Sequence, residues 1–299
     1  MRKTNRVYLL IMLVVALAMV VSCQTPAAAP TAAPTKAPAA TTAPVATTAP
    51  AATTAAAPAA TTAPAASGPT IDRIKKAGKL VVLQDATFKP MEFKDESGKI
   101  VGFDVDMASA FAKSLGVTLE VQNINWDGIF VALTQGKGDM ILSSVTITDE
   151  RKKSMSFSQP YYQAGQVIAI PAGTTNIKSP SDLAGKVVAV QIDTTGQEAA
   201  EKIAGIKELR KFDGGAEVML AVEQKKVDAA VLDVMVVLDY IKTHPNVTVT
   251  GRKPFTTEDI GAAFQKDATD LAKAFDAFVA ASKKDGSYDK ILGNWGLGS

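Results

Sequence analysis

Short apolar runs bounded by turn residues alternate along this chain with longer stretches whose apolar positions recur every three or four residues. That contrast separates buried strands from helices. Lys79–Gln84 reads as a strand, 106–115 as a helix, 119–123 as a strand, 127–135 as a helix and 140–143 as a strand again. The alternation resumes with strands at 166–170 and 186–192, a helix at 195–203, a helix at 216–226, a strand at 229–232, a helix at 234–243 and a strand at 247–250. Between them, residues 179–185 place Ser179 as a cap, Pro180 at a first helical position and Gly185 as a stop, marking a short helix. A strand at 261–264, a long helix at 269–284 and a last helix around 288–295 close the chain. Strands alternating with helices predict an α/β fold with parallel sheets and helices on their faces.

One unit of this alternation is written twice. Residues 132–144 and 221–233 both run from a helix through a glutamine, a basic turn, an aspartate and a buried strand to a polar residue. If the echo is real, two similar lobes each present a polar side chain at a strand end, Ser144 from one and Asp233 from the other.

The N-terminal region follows a different pattern. Arg2, Lys3 and Arg6 precede an apolar run from Val7 to Val21 and then Ser22-Cys23, the layout of a secretory signal over residues 1–23. The run is too short and too soon interrupted to read as a membrane span. Val20-Val21-Ser22-Cys23 resembles the lipobox of bacterial lipoproteins, which implies that Cys23 is lipidated and anchors the chain to a membrane. As the only cysteine it excludes an internal disulfide. Residues 24–69 are almost only Ala, Thr, Pro and Ser, a composition that cannot bury a core. They read as a tether for a soluble domain that begins at Thr70.

Charge adds little, because 32 Lys and Arg stand against 30 Asp and Glu. That balance points away from nucleic acid and other polyanions. The sequence shows no metal-ligand cluster, no Ser/His pair and no phosphate-cradling glycine loop, so no cofactor or metal is expected. The stretch from Ser143 to Arg151 has a more definite chemistry. Thr148 suits a helix N-cap, and Asp149 and Glu150 suit the positive end of the helix dipole. Ligands of open α/β sheets bind beyond the carboxyl ends of strands, which would set Ser144, Thr146 and Arg151 at a cleft. A guanidinium there grips a carboxylate through two parallel hydrogen bonds.

Six ordered motifs carry a family resemblance: Asp85-Ala86-Thr87-Phe88-Lys89-Pro90-Met91-Glu92-Phe93, Val101-Gly102-Phe103-Asp104-Val105-Asp106, Thr146-Ile147-Thr148-Asp149-Glu150-Arg151, Phe157-Ser158-Gln159-Pro160-Tyr161-Tyr162, Asp182-Leu183-Ala184-Gly185-Lys186-Val187, and Val227-Asp228-Ala229. From Thr70 onward the chain resembles the family 3 extracellular solute-binding proteins of polar amino-acid ABC transporters, and lies nearest their glutamine-binding members. The resemblance implies a two-lobed periplasmic-binding-protein fold of type II: two parallel-rich sheets flanked by helices, with a two-strand hinge. Lobe 1 would hold 70–162 and 254–299 and lobe 2 would hold 166–249, with crossings at 163–165 and 250–253. It implies a monomer that captures a polar amino acid, glutamine first, closes on it and delivers it to an ABC permease.

The resemblance also implies roles. Arg151 takes the ligand's carboxylate, helped by the hydroxyl and N–H of Thr146 and by N–H groups at Thr194 and Thr195. Asp233 takes the ammonium with help from Ser144. Phe88 and Trp126 sandwich the ligand's side chain, and Asp85 meets its polar tip, favouring an amide or a cation over a carboxylate. Three positions depart from the pattern: Asp193 stands where the family has Gly, and Gln191 and Leu232 stand where glutamine-binding members have Lys and His. The last two are expected at the cleft, so the resemblance does not fix the exact substrate. Cyclohexadienyl dehydratases resemble this fold too, but they need a general acid in the cleft, and the only histidine, His244, reads as a surface residue at a helix end. A binding protein is therefore expected rather than an enzyme.

Overall fold

A computed structural model describes residues 67–298, so the expected signal, Cys23 and nearly all of the tether lie outside the described residues. The described chain opens with α1 (Pro69–Ala77), then β1 (Lys79–Gln84), the short strands β2 (Thr87–Phe88), β3 (Glu92–Lys94) and β4 (Ile100–Val101), and α2 (Phe103–Leu115). Next come β5 (Thr118–Asn123), α3 (Trp126–Thr134), β6 (Met140–Ile141), α4 (Asp149–Ser154), β7 (Met155–Phe157), β8 (Tyr162–Ala164) and β9 (Gln166–Pro171). A single 3₁₀ turn at Pro180–Leu183 leads to β10 (Val187–Gln191), α5 (Thr195–Glu201), β11 (Glu208–Phe212), α6 (Gly215–Glu223), β12 (Ala229–Asp233), α7 (Val234–Tyr240) and β13 (Val247–Val249). The chain ends through β14 (Glu258–Ile260), β15 (Ala263–Gln265), α8 (Thr269–Asp285) and α9 (Ser287–Asn294).

Two five-stranded sheets repeat one plan. The first has the order β5-β1-β6-β15-β7 and the second β11-β10-β12-β9-β13. In each, three parallel strands are joined by an antiparallel fourth, β15 or β9, which the chain supplies on arriving from the other sheet. The result is a two-lobed α/β fold with parallel-rich sheets and helices on their faces. The passages between sheets run through a ribbon in which β8 and β14 pair antiparallel, Tyr162 opposite Ile260 and Ala164 opposite Glu258. Gly165 follows this ribbon, and a side chain there would run into the backbone of Thr256, so the close approach requires glycine.

The structure adds elements that the hydrophobic pattern missed. Helix α1 forms because Pro69 sits in its first turn, Ile71 and Ile74 bury one face, and the Asp270 carboxylate of α8 accepts the N–H of Thr70 at 2.9 Å and of Ile71 at 3.0 Å. The Thr70 start therefore falls one residue inside a helix. Strand β11 is an edge strand of charged and half-buried residues, so it lacks the apolar run that marks its neighbours. Helix α2 starts three residues earlier than expected because Phe103 is its first buried anchor.

Candidate functional site

The cavity is built where strands end. Beyond β6 the chain turns at Ser144 with φ +50°, a conformation that residues with side chains seldom adopt. Asp104, buried in the first turn of α2, holds that turn by accepting the Ser144 N–H at 2.8 Å and its hydroxyl at 3.3 Å. The Tyr161 hydroxyl lies 2.9 Å from both oxygens of the same carboxylate. Burial pushes Asp104 up to about 6 even against these donors.

Arg151 follows from the helix start read in the sequence: Thr148 caps α4 by accepting the Arg151 N–H at 3.1 Å. Its guanidinium donates to the Thr146 carbonyl at 2.9 Å and lies over the rings of Trp126 and Phe130, 5.3 and 4.9 Å from their centroids. Its other arm reaches the Asp193 carbonyl at 3.4 Å, which also accepts the Trp126 indole N–H at 2.9 Å. Burial lowers the Arg151 pKa, while Glu198, Glu258 and Asp233 act against that, so the group stays a cation. Asp193 has φ +56°, which explains why glycine is usual there.

Asp233 closes β12 at the N-cap position of α7, yet its side chain makes no capping bond. Burial first, and Glu258 next, push its carboxyl up to about 7, with Gln166 and Arg151 pulling it down. Asp85, at the end of β1, accepts from the Gln191 amide at 2.9 Å, and burial raises it to about 6. Beside it Glu92 is fully buried: its carboxyl accepts the Ser143 hydroxyl at 2.9 Å and is also hydrogen-bonded to Asp104. Burial, and then Asp104, hold the Glu92 carboxyl well above the usual carboxylate range. On the facing lobe the N–H of Gly215 lies 3.3 Å from the Thr87 hydroxyl, and a side chain at Gly215 would strike the Phe88 ring.

Together these residues line one narrow cavity: Asp85, Phe88, Glu92, Trp126, Ser143, Ser144, Thr146 and Arg151 from the first-sheet side, and Gln191, Thr194, Thr195 and Asp233 from the second. All ten positions singled out from the sequence are among them. Glu92 and Ser143 were missed, although Glu92 lies inside a quoted motif; the signal that would have found it is an acid between the apolar Met91 and Phe93 just after the first strand end. Two expectations need correction. Leu232 is buried in the core and does not line the cavity. The Thr146 hydroxyl donates to Glu258 at 2.8 Å, and a hydroxyl has one proton, so toward the cavity it offers lone pairs rather than a donor. His244 stacks on Tyr240 with centroids 3.8 Å apart, away from the cavity.

Two lobes of the same plan, with polar groups from both converging on one enclosed space, define the class of two-lobed binding proteins. The chain belongs to the bacterial extracellular solute-binding proteins, family 3, whose model matches residues 80–298. It is 32% identical over 228 residues to the L-cystine-binding protein TcyJ of Escherichia coli (strain K12), covering 75% of this chain and 85% of that one. Among solved structures it is similar to a mutant of the arginine-binding protein of T. maritima, with 40% identity, a TM-score of 0.72, and coverage of 76% of this chain and 98% of that one. An ancestral arginine-binding protein, solved with arginine, matches at 42% identity and a TM-score of 0.71, over 73% of this chain and 98% of that one. An ancestral arginine-binding protein solved with glutamine matches at 42% identity and a TM-score of 0.71, over 74% of this chain and 98% of that one. This chain is accordingly a solute-binding protein. No described helix is long and apolar enough to cross a membrane.

Proposed function

We propose that this protein captures a free amino acid with a cationic side chain, arginine first, between its lobes and delivers it to an ABC permease. The observation that carries the choice is the charge of the lining: one cation, Arg151, stands against the carboxyls of Asp85 and Asp233, while burial and Asp104 hold Glu92 in its neutral form. A ligand with one net positive charge offsets that imbalance in a place where unpaired charge is costly. Arg151 then takes the α-carboxylate, Asp233 the α-ammonium with the lone pairs of Ser144 and Thr146, and Phe88 with Trp126 covers the aliphatic stem. Gln191, bonded to Asp85, and the Thr194-Thr195 turn complete the wall.

Glutamine is the second reading, favoured because an amide can hydrogen-bond the Asp85 carboxyl, and because ancestral arginine-binding proteins similar to this chain are solved with arginine and with glutamine. Capture and release follow from hinge motion of lobe 1 against lobe 2 about the ribbon of β8 (Tyr162–Ala164) and β14 (Glu258–Ile260), so the second crossing falls after the expected 250–253, whose flanks Thr250 and Phe255 still bond to β9. Lipid on Cys23 and the 24–69 tether would hold the domain at the membrane, and Cys23→Ser should then move the protein to the soluble fraction.

A calorimetric screen of the twenty amino acids, after unfolding and refolding to strip bound ligand, tests the assignment. Arginine should bind tightest, glutamine next, and glutamate and aspartate weakest. Asp85→Asn should weaken arginine about tenfold or more while leaving glutamine within a few-fold. Tightest binding of glutamate, or an unchanged arginine affinity in Asp85→Asn, would contradict it.

A further inference from the structure

Behind the cavity wall lies a carboxylate that does not itself line the cavity. Glu258, on β14, is buried, and one of its oxygens accepts both the Thr195 hydroxyl at 2.6 Å and the Thr146 hydroxyl at 2.8 Å. Its other oxygen accepts the Thr256 hydroxyl at 2.9 Å and the Gln166 amide at 3.1 Å. Four donors thus converge from four segments: the loop after β6, the start of α5, the start of β9 and the approach to β14. Thr146 and Thr195 both line the cavity, one from each lobe, and their own oxygens are 3.3 Å apart. On the far side of this pair an open groove is lined by Thr146, Thr195, Phe255 and Glu258. The two threonines are therefore a wall between cavity and groove, clamped from the groove side by one carboxylate.

We propose that Glu258 is a positioning residue that joins the two lobes in the closed arrangement: it fixes Thr146 and Thr195 side by side as the back wall of the cavity and raises the closed population, which ligand then raises further. Three features support this. Charge-assisted bonds to a carboxylate are stronger than bonds between neutral groups, and these are buried. The two threonines stand on separate lobes, so parting the lobes must break at least one of the bonds, whichever lobe the ribbon follows. With their single protons committed to Glu258, both hydroxyls present lone pairs to the cavity, which suits an ammonium. The role in the bound state rests on the ligand reading above; the role in closure does not.

The test uses the full chain with Cys23→Ser, Val131→Cys and Leu220→Cys. Residues 131 and 220 are exposed, lie on helices of different lobes and take no part in the cavity. Spin labels at the two thiols report the spacing of the lobes by pulsed electron resonance, in Glu258, Glu258→Gln and Glu258→Ala backgrounds without ligand. Glu258→Ala should lower the ratio of closed to open spacing by about tenfold or more relative to the Glu258 protein. Glu258→Gln preserves volume and one acceptor oxygen and should fall between them. The arginine dissociation rate should rise in the same order, with the association rate nearly unchanged. Identical spacing distributions in all three, even alongside a lower melting temperature, would overturn the proposal. Altered spacing in a protein that binds no amino acid would instead overturn the ligand reading and leave the clamp standing.

Discussion

At the residue scale, the cavity is governed by carboxyls that burial has pushed upward, which makes binding depend on protons. Asp233 titrates at about 7 and Asp85 at about 6 in the empty site. An ammonium on Asp233 and a guanidinium on Asp85 each favour the ionised acid, so both folded-state values fall when ligand binds. Affinity is then fully present above these values and lost as pH falls through them, by about tenfold per pH unit for each proton that must leave. Glutamine needs only Asp233 ionised, and arginine needs Asp85 as well. Between about pH 5 and 6 the logarithm of the association constant should therefore change with a slope near one for glutamine and near two for arginine, measured by calorimetry at closely spaced pH. Equal slopes would remove Asp85 from the side-chain contacts. Strand ends and caps made ten of the lining residues legible in the sequence. Glu92 was not, because its burial depends on α2 and Ser143 lying against it, which no local pattern states.

At the element scale, the written echo is a built one. Asp139 and Asp228 make the same clasp on the neighbouring strand: Asp139 accepts the Val81 N–H at 2.7 Å and donates its own to Val81 at 2.8 Å, while Asp228 does so with Val187 at 2.7 and 2.9 Å. The turns before them match as well, and both have positive φ at the same step, Gly136 at +74° and Lys225 at +53°. A left-handed residue with a side chain costs about 1–2 kcal/mol, and gaining glycine costs roughly 0.4–1 kcal/mol through the unfolded chain. Lys225→Gly should thus hold or raise stability, and Gly136→Ala should lower it by about 1 kcal/mol or more, read from denaturant midpoints. A loss above about 1 kcal/mol in Lys225→Gly would show that the side chain supplies more than the turn costs. The elements legible in the sequence were those with apolar faces of their own. Helix α1, capped from α8, and the charged edge strand β11 are defined by partners distant in the chain, and periodicity does not register those.

At the scale of the whole molecule, the lobes meet through Asp85 with Gln191, Trp126 with Asp193, Thr87 with Gly215, and Thr195 with Glu258. In the proposed complex Arg151 comes from one lobe and Asp233 from the other, so neither lobe alone satisfies a zwitterion. Binding free energy is available only to the closed form, and ligand shifts the population toward it. The family was legible because its motifs fall at the strand ends that build this meeting surface. The preferred side chain was less so, since it depends on how far each carboxyl is buried. The most direct test is a calorimetric titration of arginine into the wild-type protein and Arg151→Ala, with folding of both checked by circular dichroism. Losing one partner of a buried charge pair costs about 2–5 kcal/mol, so the variant should bind some thirty- to several-thousandfold more weakly while remaining folded. The same dissociation constant in both would contradict an α-carboxylate held by Arg151, and with it the orientation assigned to the ligand in this cavity.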